Sequence, residues 1–152
     1  MKVIVGADSA GFVLKAPLIR HLEEQGIEVK DIGIFYNEAG ELTDPAQRDY
    51  PVVAQQVARP VAAGEYDFGI ILCGTGIGVG MTANKIAGIR AATVVTAFEA
   101  KFTRLHNDAN VLCMGGRVIA PETACELADI FLHTEFEGGR HQRRVDMMNA
   151  LD

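Results

Sequence analysis

The sequence predicts an α/β fold, a three-layer, Rossmann-like α/β/α sandwich built around a five-stranded parallel sheet. Five short apolar runs alternate with segments whose apolar residues recur every three or four positions. The runs are typical of strands buried on both faces, and the periodic segments are typical of helices that cover them. The 152 residues contain no repeat or linker, so we expect a single domain over residues 1–152.

The run "KVIVGAD" predicts the first strand, and a helix follows it. Apolar side chains recur along that helix at every fourth position, at Leu14, Leu18 and Leu22. Gly26 is a typical C-terminal cap. Since proline is tolerated best in a first turn, Pro17 indicates that the regular helix begins only near Lys15.

The run "EVKDIGI" predicts the second strand, and the polar residues 36–48 predict a loop. A helix should start at Asp49 and Pro51, because proline is favoured in the first turn of a helix. Val53, Val57 and Val61 would form its apolar face. We expect Pro60 to kink or end it.

The runs "FGIILC", "IRAATVV" and "NVLCMGG" predict the third, fourth and fifth strands. After the third strand comes the glycine loop, which we define as "CGTGIGVG" (residues 73–80), and then a helix around residues 81–86. Further helices are expected around Phe98, Phe102 and Leu105, over residues 121–133, and around Val145, Met148 and Leu151.

Three segments rich in glycine follow the first, third and fifth strands: "GADSAG", "CGTGIGVG" and "MGGR". Ligands of open parallel sheets bind beyond the carboxyl ends of the strands. We therefore expect the three segments to share one pocket.

The glycine loop fits neither common nucleotide motif. In G-x-G-x-x-G, the third glycine would fall at Val79 or Met81, and the motif belongs after the first strand. A P-loop needs a lysine directly after its last glycine, and the nearest lysine here, Lys85, lies well beyond the glycine loop. The loop can instead direct main-chain N–H groups at an anion. The alternative is a tight turn that binds nothing.

Composition excludes several classes of partner. The net charge of −6 and pI of about 5.2 argue against nucleic-acid or anionic-membrane binding. The basic cluster "GGRHQRR" suggests a small anionic ligand, although a solvated helix face would explain it equally. Three widely spaced cysteines predict neither a disulfide framework nor a metal site. With no signal peptide or membrane span evident, we expect a cytoplasmic protein.

Five segments occur in an order and spacing that resemble the ribose 5-phosphate isomerase B family: "GADSAGF", "ILCGTGIGVGMTANKIAGIRAA", "LHNDANVL", "GGRV" and "GGRHQRRV". The related galactose 6-phosphate isomerase subunits share much of this pattern. The resemblance implies an aldose–ketose isomerase without cofactor or metal. It also implies a homodimer or dimer of dimers, in which two subunits build each active site around a small sugar phosphate.

The resemblance also implies roles for individual residues. Cys73 matches the catalytic base of the cysteine-type branch, whereas another branch has a glutamate at the position of Val79. His106 matches the histidine that opens the sugar ring. The loop that stabilises the intermediate corresponds to Gly74, Thr75, Gly76 and Gly78. Contacts to the sugar and its phosphate correspond to Asp8, Asn107, Arg117, Arg140, His141 and Arg144, and Ser9 stands where many members have histidine.

The chemistry agrees with these residue types. Isomerisation moves a proton between C1 and C2 through an enediolate, and main-chain N–H groups near Cys73 would favour a thiolate that acts as the base. Donors fixed by the glycine loop would stabilise the enediolate, and arginine forks suit the phosphate. Cys73 could instead be a small buried hydrophobe, as we expect of Cys113 and Cys125, and His106 could simply cap its helix.

The predicted reaction is the interconversion of ribose 5-phosphate and ribulose 5-phosphate. Ser9 and the long loop over residues 36–48 leave open the same chemistry on a tetrose 4-phosphate or a hexose 6-phosphate such as allose or galactose 6-phosphate. A ligand-binding module of the same fold without catalysis, and a nucleotide-binding module, are the alternatives from other classes.

Overall fold

The computed structural model describes the backbone of residues 1–152 and all side chains except that of Gln47. Its strands are β1 (Lys2–Ala7), β2 (Glu28–Gly33), β3 (Phe68–Cys73), β4 (Ala91–Thr93) and β5 (Val111–Gly115). All pairings are parallel, and the strand order is β2-β1-β3-β5-β4. The prediction of an α/β fold with a five-stranded parallel sheet is confirmed.

The helices are α1 (Phe12–Glu24), α2 (Tyr50–Ala62), α3 (Ile77–Ala83), α4 (Ala97–Asn107), α5 (Pro121–His133) and α6 (Arg140–Asn149). The segment predicted as a loop contains a bridge between Tyr36 and Leu42 and a 3₁₀ turn at Pro45–Arg48. Pro60 lies in the last turn of α2, which ends two residues later.

Successive residues of β3 enter different apolar clusters, as the period of two in a strand requires. Ile70 and Leu72 pack with the leucines of α1 and with α5. Ile71 and Cys73 pack on the opposite face with the valines of α2 and with α3. Helices therefore cover both faces of the sheet, and only its edges and strand ends are available for a ligand.

Two helices begin earlier than predicted. The helix expected near Lys15 starts at Phe12, because Asp8 turns the chain just before it by accepting hydrogen bonds from Ala10 and Gly11. Pro17 lies inside this helix and removes one main-chain bond. The fully buried Leu14, Leu18 and Leu22 outweigh that loss, since burying one leucine contributes about 2 kcal/mol.

The helix expected around residues 81–86 begins at Ile77, so part of the glycine loop is helical. Its glycines allow close packing. A Cβ at Gly80 would lie 2.7 Å from Thr93 Oγ1, and one at Gly78 would lie 2.8 Å from the Tyr50 ring. These glycines therefore bring neighbouring elements against α3 without interrupting it.

The fourth strand and the last helix are shorter than predicted. The N–H of Ile89 bonds to Ile86 and that of Arg90 to the Asn110 side chain, so the strand begins only at Ala91. In α6 only Val145 of the three predicted apolar residues is buried, and Leu151 lies beyond the helix end with 86% of its surface exposed. Among the described residues, no helix has both the length and the hydropathy to cross a bilayer.

Candidate active site

The carboxyl ends of β1, β3 and β5 meet, because these strands are neighbours in the sheet. The N–H of Gly116 donates to the carbonyl of Cys73 (2.8 Å), and the N–H of Asp8 donates to that of Leu72 (3.1 Å). A Cβ at Gly11 would lie 2.3 Å from the Leu72 carbonyl carbon, so only glycine allows this approach. The three glycine-rich segments therefore meet at one edge of the sheet, and the pocket that we expect them to share stays a prediction.

Cys73 is the last residue of β3, and only 5% of it is exposed. Its Sγ accepts a hydrogen bond from the N–H of Gly76 at 3.0 Å. Gly76 has φ of +79°, and a Cβ there would lie 3.0 Å from the main chain of Met114. The carbonyl of Gly76 accepts the hydroxyl of Thr93 at 2.9 Å. Gly76 is thus held between the main chain of Met114 and the hydroxyl of Thr93, and in this position its N–H points at the sulfur.

Cys73 packs in an apolar cluster with Ile71 and Val79, and the polar residues at the neighbouring strand ends differ in exposure. Asp8 is 7% exposed, and its Oδ1 accepts hydrogen bonds from Ala10 and Gly11, both at 2.9 Å. Ser9 and Thr75 are exposed, and Thr75 Oγ1 accepts from the N–H of Ile77 (3.2 Å), which leaves its hydroxyl hydrogen free to donate. We call Cys73, Gly76 and the neighbouring residues Asp8, Ser9, Gly74, Thr75 and Arg117 the sulfur group.

Arg117 brings positive charge to this group. Its N–H donates to the carbonyl of Gly74 at 3.0 Å, and its exposed side chain extends past that glycine. A Cβ on Gly74 would lie 3.5 Å from Arg117 Cδ and 3.6 Å from Arg117 Nη1. The guanidinium is therefore beside the glycine loop, where an anion could reach it.

A second set of predicted residues lies where α4 ends and α6 begins, and we call it the histidine group. Its members are His106 and Asn107 on α4 and Arg140, His141 and Arg144 on α6. His106 is half-buried near the end of α4, and His141 is buried in the first turn of α6. Their rings stack with centroids 4.1 Å apart and an interplanar angle of 10°. A cleft of about 430 Å³ adjoins them and is also lined by Thr93, Phe98, Phe102, Asn107, Arg144 and Met148.

Sequence reasoning missed Glu137, which faces both rings. Its Oε2 lies 3.5 Å from His106 Nε2 and 3.3 Å from His141 Nε2. Burial is the largest effect that lowers the pKa of His141, and positive charge on His106 and then on the nearby arginines adds to it, whereas Glu137 opposes it. The only signal in the sequence was an acid four residues before His141.

His106, Glu137 and His141 each offer one ligand atom, and these atoms lie within 4.8 Å of one another. In-plane lone pairs of two nearly parallel rings do not converge on one point, as an ion bound about 2.0–2.1 Å from each nitrogen would require. Arg140 and Arg144 add positive charge beside the cluster. The arrangement therefore suits a hydrogen-bonded carboxylate better than a cation.

The sulfur group and the histidine group are not joined by any hydrogen bond or ion pair among the described residues. None of the residues that line the cleft belongs to the sulfur group. Thr93 is the link between them, because it lines the cleft and also bonds to Gly76. One chain thus presents two partial sites.

Two other side chains have an apolar environment. Cys113 is fully buried, and this burial, together with the Cys73 thiol, raises the pKa of its own thiol, as befits a packing residue. Val79 is also fully buried, in the apolar cluster that includes Cys73. At this position the chain thus has no carboxylate that could serve as a base.

The profile described as Ribose/Galactose Isomerase matches residues 3–148. Ribose-5-phosphate isomerase B of Escherichia coli (strain K12) is 44% identical over 151 residues, which cover 99% of this chain and 96% of that protein. D-Erythrulose-4-phosphate isomerase of Pectobacterium atrosepticum is 40% identical, over 100% of this chain and 95% of that protein.

A solved structure of ribose-5-phosphate isomerase B from Mycoplasma genitalium, with bound ribulose-5-phosphate, superimposes with a TM-score of 0.88. It is 38% identical and covers 99% of this chain and 95% of its own. The likeness therefore extends over the whole described fold, including both partial sites.

Proposed function

The chain belongs to the ribose/galactose isomerase family, and from this premise we propose that it interconverts ribose 5-phosphate and ribulose 5-phosphate without a cofactor. One observation supports this most directly. The sulfur of Cys73 stands at the end of a central strand and accepts a main-chain N–H from Gly76. A thiolate needs such a donor if it is to exist at low exposure.

In the proposed mechanism, His106 first opens the furanose ring. It takes the proton from the hydroxyl on C1 and returns a proton to the ring oxygen as the C1–O4 bond breaks, which leaves an open-chain aldehyde. Asn107, beside it on α4, would hold a sugar hydroxyl. Asp8 would hold another through Oδ2, since Oδ1 is engaged by the turn.

Cys73 then takes the proton from C2, and negative charge moves onto the oxygen of C1 as the enediolate forms. Main-chain N–H groups of Gly74, Gly76 and Gly78 and the hydroxyl of Thr75 would stabilise that charge, and one such donor is typically worth about 3 to 4 kcal/mol. The thiol returns the proton to C1 while the hydroxyl proton on O2 passes to O1, and the ketose results.

The phosphate would be bound by arginines on both partial sites. Arg117, Arg140 and Arg144 are all exposed, so their guanidinium groups are available to an anion. His141 would add an uncharged donor, consistent with its lowered pKa. Because the phosphate does not react, its contacts serve to place C1 and C2 near the sulfur.

The proposal includes a homodimer, or a dimer of dimers, in which the sulfur group of one subunit faces the histidine group of another. Two features support it: the groups are not bonded within one chain, and Phe98 beside the cleft is 68% exposed. A cytoplasmic location belongs to the same proposal, because a free catalytic thiol persists in a reducing compartment.

The catalytic proposal is tested with Cys73→Ala. Removing a positioned base should lower kcat on ribose 5-phosphate by about 10²- to 10⁴-fold. Cys125→Ala is the control, since that thiol lies on α5, packs against the apolar cluster of α1 and α5, and should be replaceable. Turnover of Cys73→Ala at the rate of Cys125→Ala would reject the thiolate base.

The shared site is tested by mixing two inactive variants, Cys73→Ala and His106→Asn. If each site takes one group from each subunit, a mixed dimer holds one intact site, and random exchange restores about a quarter of the activity of the wild-type protein. Activity that stays at the level of the separate variants would show that both groups serve the same subunit.

A tetrose 4-phosphate is the second candidate substrate. Ser9 is small and exposed at the sulfur group, and a relative 40% identical to this chain is named D-erythrulose-4-phosphate isomerase. Values of kcat/KM measured side by side on ribose 5-phosphate, erythrose 4-phosphate and allose 6-phosphate decide between the candidates. A kcat/KM higher on the four- or six-carbon aldose would transfer the assignment to that sugar.

A further inference from the structure

Glu137 is held against the histidine group by the main chain. Its N–H donates to the carbonyl of Leu105 at 3.1 Å, in the last turn of α4. Close by, Arg104 Nε donates to the carbonyl of Thr134 at 3.3 Å. The segment over residues 134–139 is thus fixed to the helix end that carries His106, so the carboxylate and the ring keep their relative position.

The hydrogen-bond partners of the two rings are not equivalent. His141 Nε2 has two polar neighbours, Arg140 Nε at 3.5 Å, which can donate to it, and Glu137 Oε2 at 3.3 Å, which can only accept from it. His106 Nε2 faces the carboxylate of Glu137, at 3.5 Å. A carboxylate only accepts hydrogen bonds, so the proton of a neutral His106 is favoured on Nε2. The ring edge of Phe102 and the face of His141 limit its rotation.

We propose that Glu137 is a positioning residue for sugar-ring opening: its carboxylate binds Nε2–H of His106 and thereby leaves Nδ1 unprotonated as the base. This inference rests on the proposed function. Glu137 does not touch the sugar, and it acts through the tautomer and orientation of the imidazole. The assignment explains why an acid that is 57% exposed lies among arginines and histidines without closing a salt bridge to either arginine.

The kinetic test separates ring opening from proton transfer. Ribose 5-phosphate is a closed furanose, whereas ribulose 5-phosphate is open-chain, because its only hydroxyl that could close a five-membered ring carries the phosphate. Exchange of the C1 proton of ribulose 5-phosphate with D₂O, followed by proton NMR, therefore needs the sulfur but no ring opening. Net turnover of ribose 5-phosphate needs both.

We expect Glu137→Gln to lower turnover of ribose 5-phosphate about tenfold to hundredfold, the usual effect of losing a carboxylate behind a working histidine, with little change in KM. Exchange on ribulose 5-phosphate should be nearly unchanged. Glu135→Gln is the matched control, since it removes the same charge from an exposed position on the same segment. An equal loss in both assays, or a loss in neither, would overturn the proposal.

A second measurement does not depend on activity. Long-range ¹⁵N–¹H correlation spectra of the labelled protein distinguish the two neutral tautomers of His106. The Nε2–H form should dominate in the wild-type protein, and Glu137→Gln should shift the population toward Nδ1–H. A dominant Nδ1–H form in the wild-type protein would refute the role of Glu137 even if no sugar is turned over. If the spectra agree but neither sugar reacts, the proposed function fails and the positioning contact stands.

Discussion

Asp108 secures the end of α4, and replacing it by alanine should destabilise the protein by about 3–4 kcal/mol. This residue has φ of +47°, a left-handed conformation that costs an alanine roughly 1 kcal/mol more than it costs an aspartate. Its Oδ1 also accepts from Arg104 Nη1 at 2.7 Å, and the Arg104 side chain is only 8% exposed. Losing a hydrogen bond between charged groups there costs about 2 kcal/mol.

The remaining contribution comes from Arg90, whose Nη2 lies 3.1 Å from Asp108 Oδ2 and whose side chain is 15% exposed. We assign it about 0.5–1 kcal/mol, because Arg90 keeps its bonds to the carbonyls of Asn107 and Asp108. Arg104 likewise keeps the carbonyl of Ala109. These retained contacts place the ion-pair part of the loss, about 2.5–3 kcal/mol, below the cost of a fully unpaired buried charge.

Two further substitutions separate the conformational cost from the charge. Asp108→Asn tolerates the left-handed conformation and keeps an oxygen for Arg104, so it should cost about 1–2 kcal/mol. Asp108→Gly removes both pairs without backbone strain. It should therefore destabilise the protein by about 1 kcal/mol less than Asp108→Ala does. Equal losses for glycine and alanine, or a loss below about 1 kcal/mol for alanine, would refute this reasoning.

The assay is urea unfolding followed by circular dichroism at a fixed protomer concentration, so that any contribution of the proposed assembly to stability stays constant. His106 and Asn107 immediately precede Asp108 in the same helical turn. Amide exchange in that turn should therefore accelerate in the alanine variant before global unfolding is detected.

Three other predictions follow from particular contacts. Gly76→Ala should cost about 1–3 kcal/mol by thermal unfolding and abolish most turnover, whereas Gly40→Ala, with φ of +76° but nothing within 4 Å of its Cβ, should cost only the backbone penalty and leave turnover intact. Lys15→Met should destabilise by about 2–4 kcal/mol in urea, because Lys15 is 3% exposed and pairs with Asp31 at 2.7 Å; Lys2→Met, at an exposed pair with Glu28, should cost under about 0.5 kcal/mol. The folded-state pKa of His141 lies below its unfolded value of about 6.5, so the unfolded chain binds more protons in acid. Its contribution to stability should thus be complete above about pH 6.5 and be lost as the pH falls through the folded pKa, and His141→Gln should flatten that decline in pH-dependent urea titrations.

Much of the fold could be predicted from the sequence, because each strand is a short apolar run that is bounded by turn-forming residues. The strand ends could be placed together for a related reason, since a segment rich in glycine lies at the carboxyl end of each of parallel strands 1, 3 and 5. Helix starts were harder to predict. Gly78 and Gly80 resemble loop residues, yet they lie in α3, where glycine is needed because Tyr50 and Thr93 occupy the space that side chains would fill.

The candidate site shows the same limit. Cys73, Asp8 and Arg117 could be predicted from strand ends and from the family resemblance, and the structure brings them to one place. Glu137 could not, because its relation to His106 depends on the main-chain bond to Leu105, between segments about thirty residues apart. Contacts of this kind leave no periodic pattern. Met148 and Leu151 were wrongly expected to be buried, because Met148 lies on an exposed part of α6 and Leu151 lies beyond the end of that helix.

The hydrogen bond to the sulfur of Cys73 comes from a peptide N–H and not from a side chain. Point mutation exchanges side chains and leaves the peptide amide in place, with proline as the one exception. The donor is therefore kept by any substitution that preserves the course of the main chain, and it depends on residue type only through Gly76, whose φ of +79° favours glycine. Evolution can change which sugar is recognised, residue by residue, while the polarity around the thiol is inherited with the backbone itself.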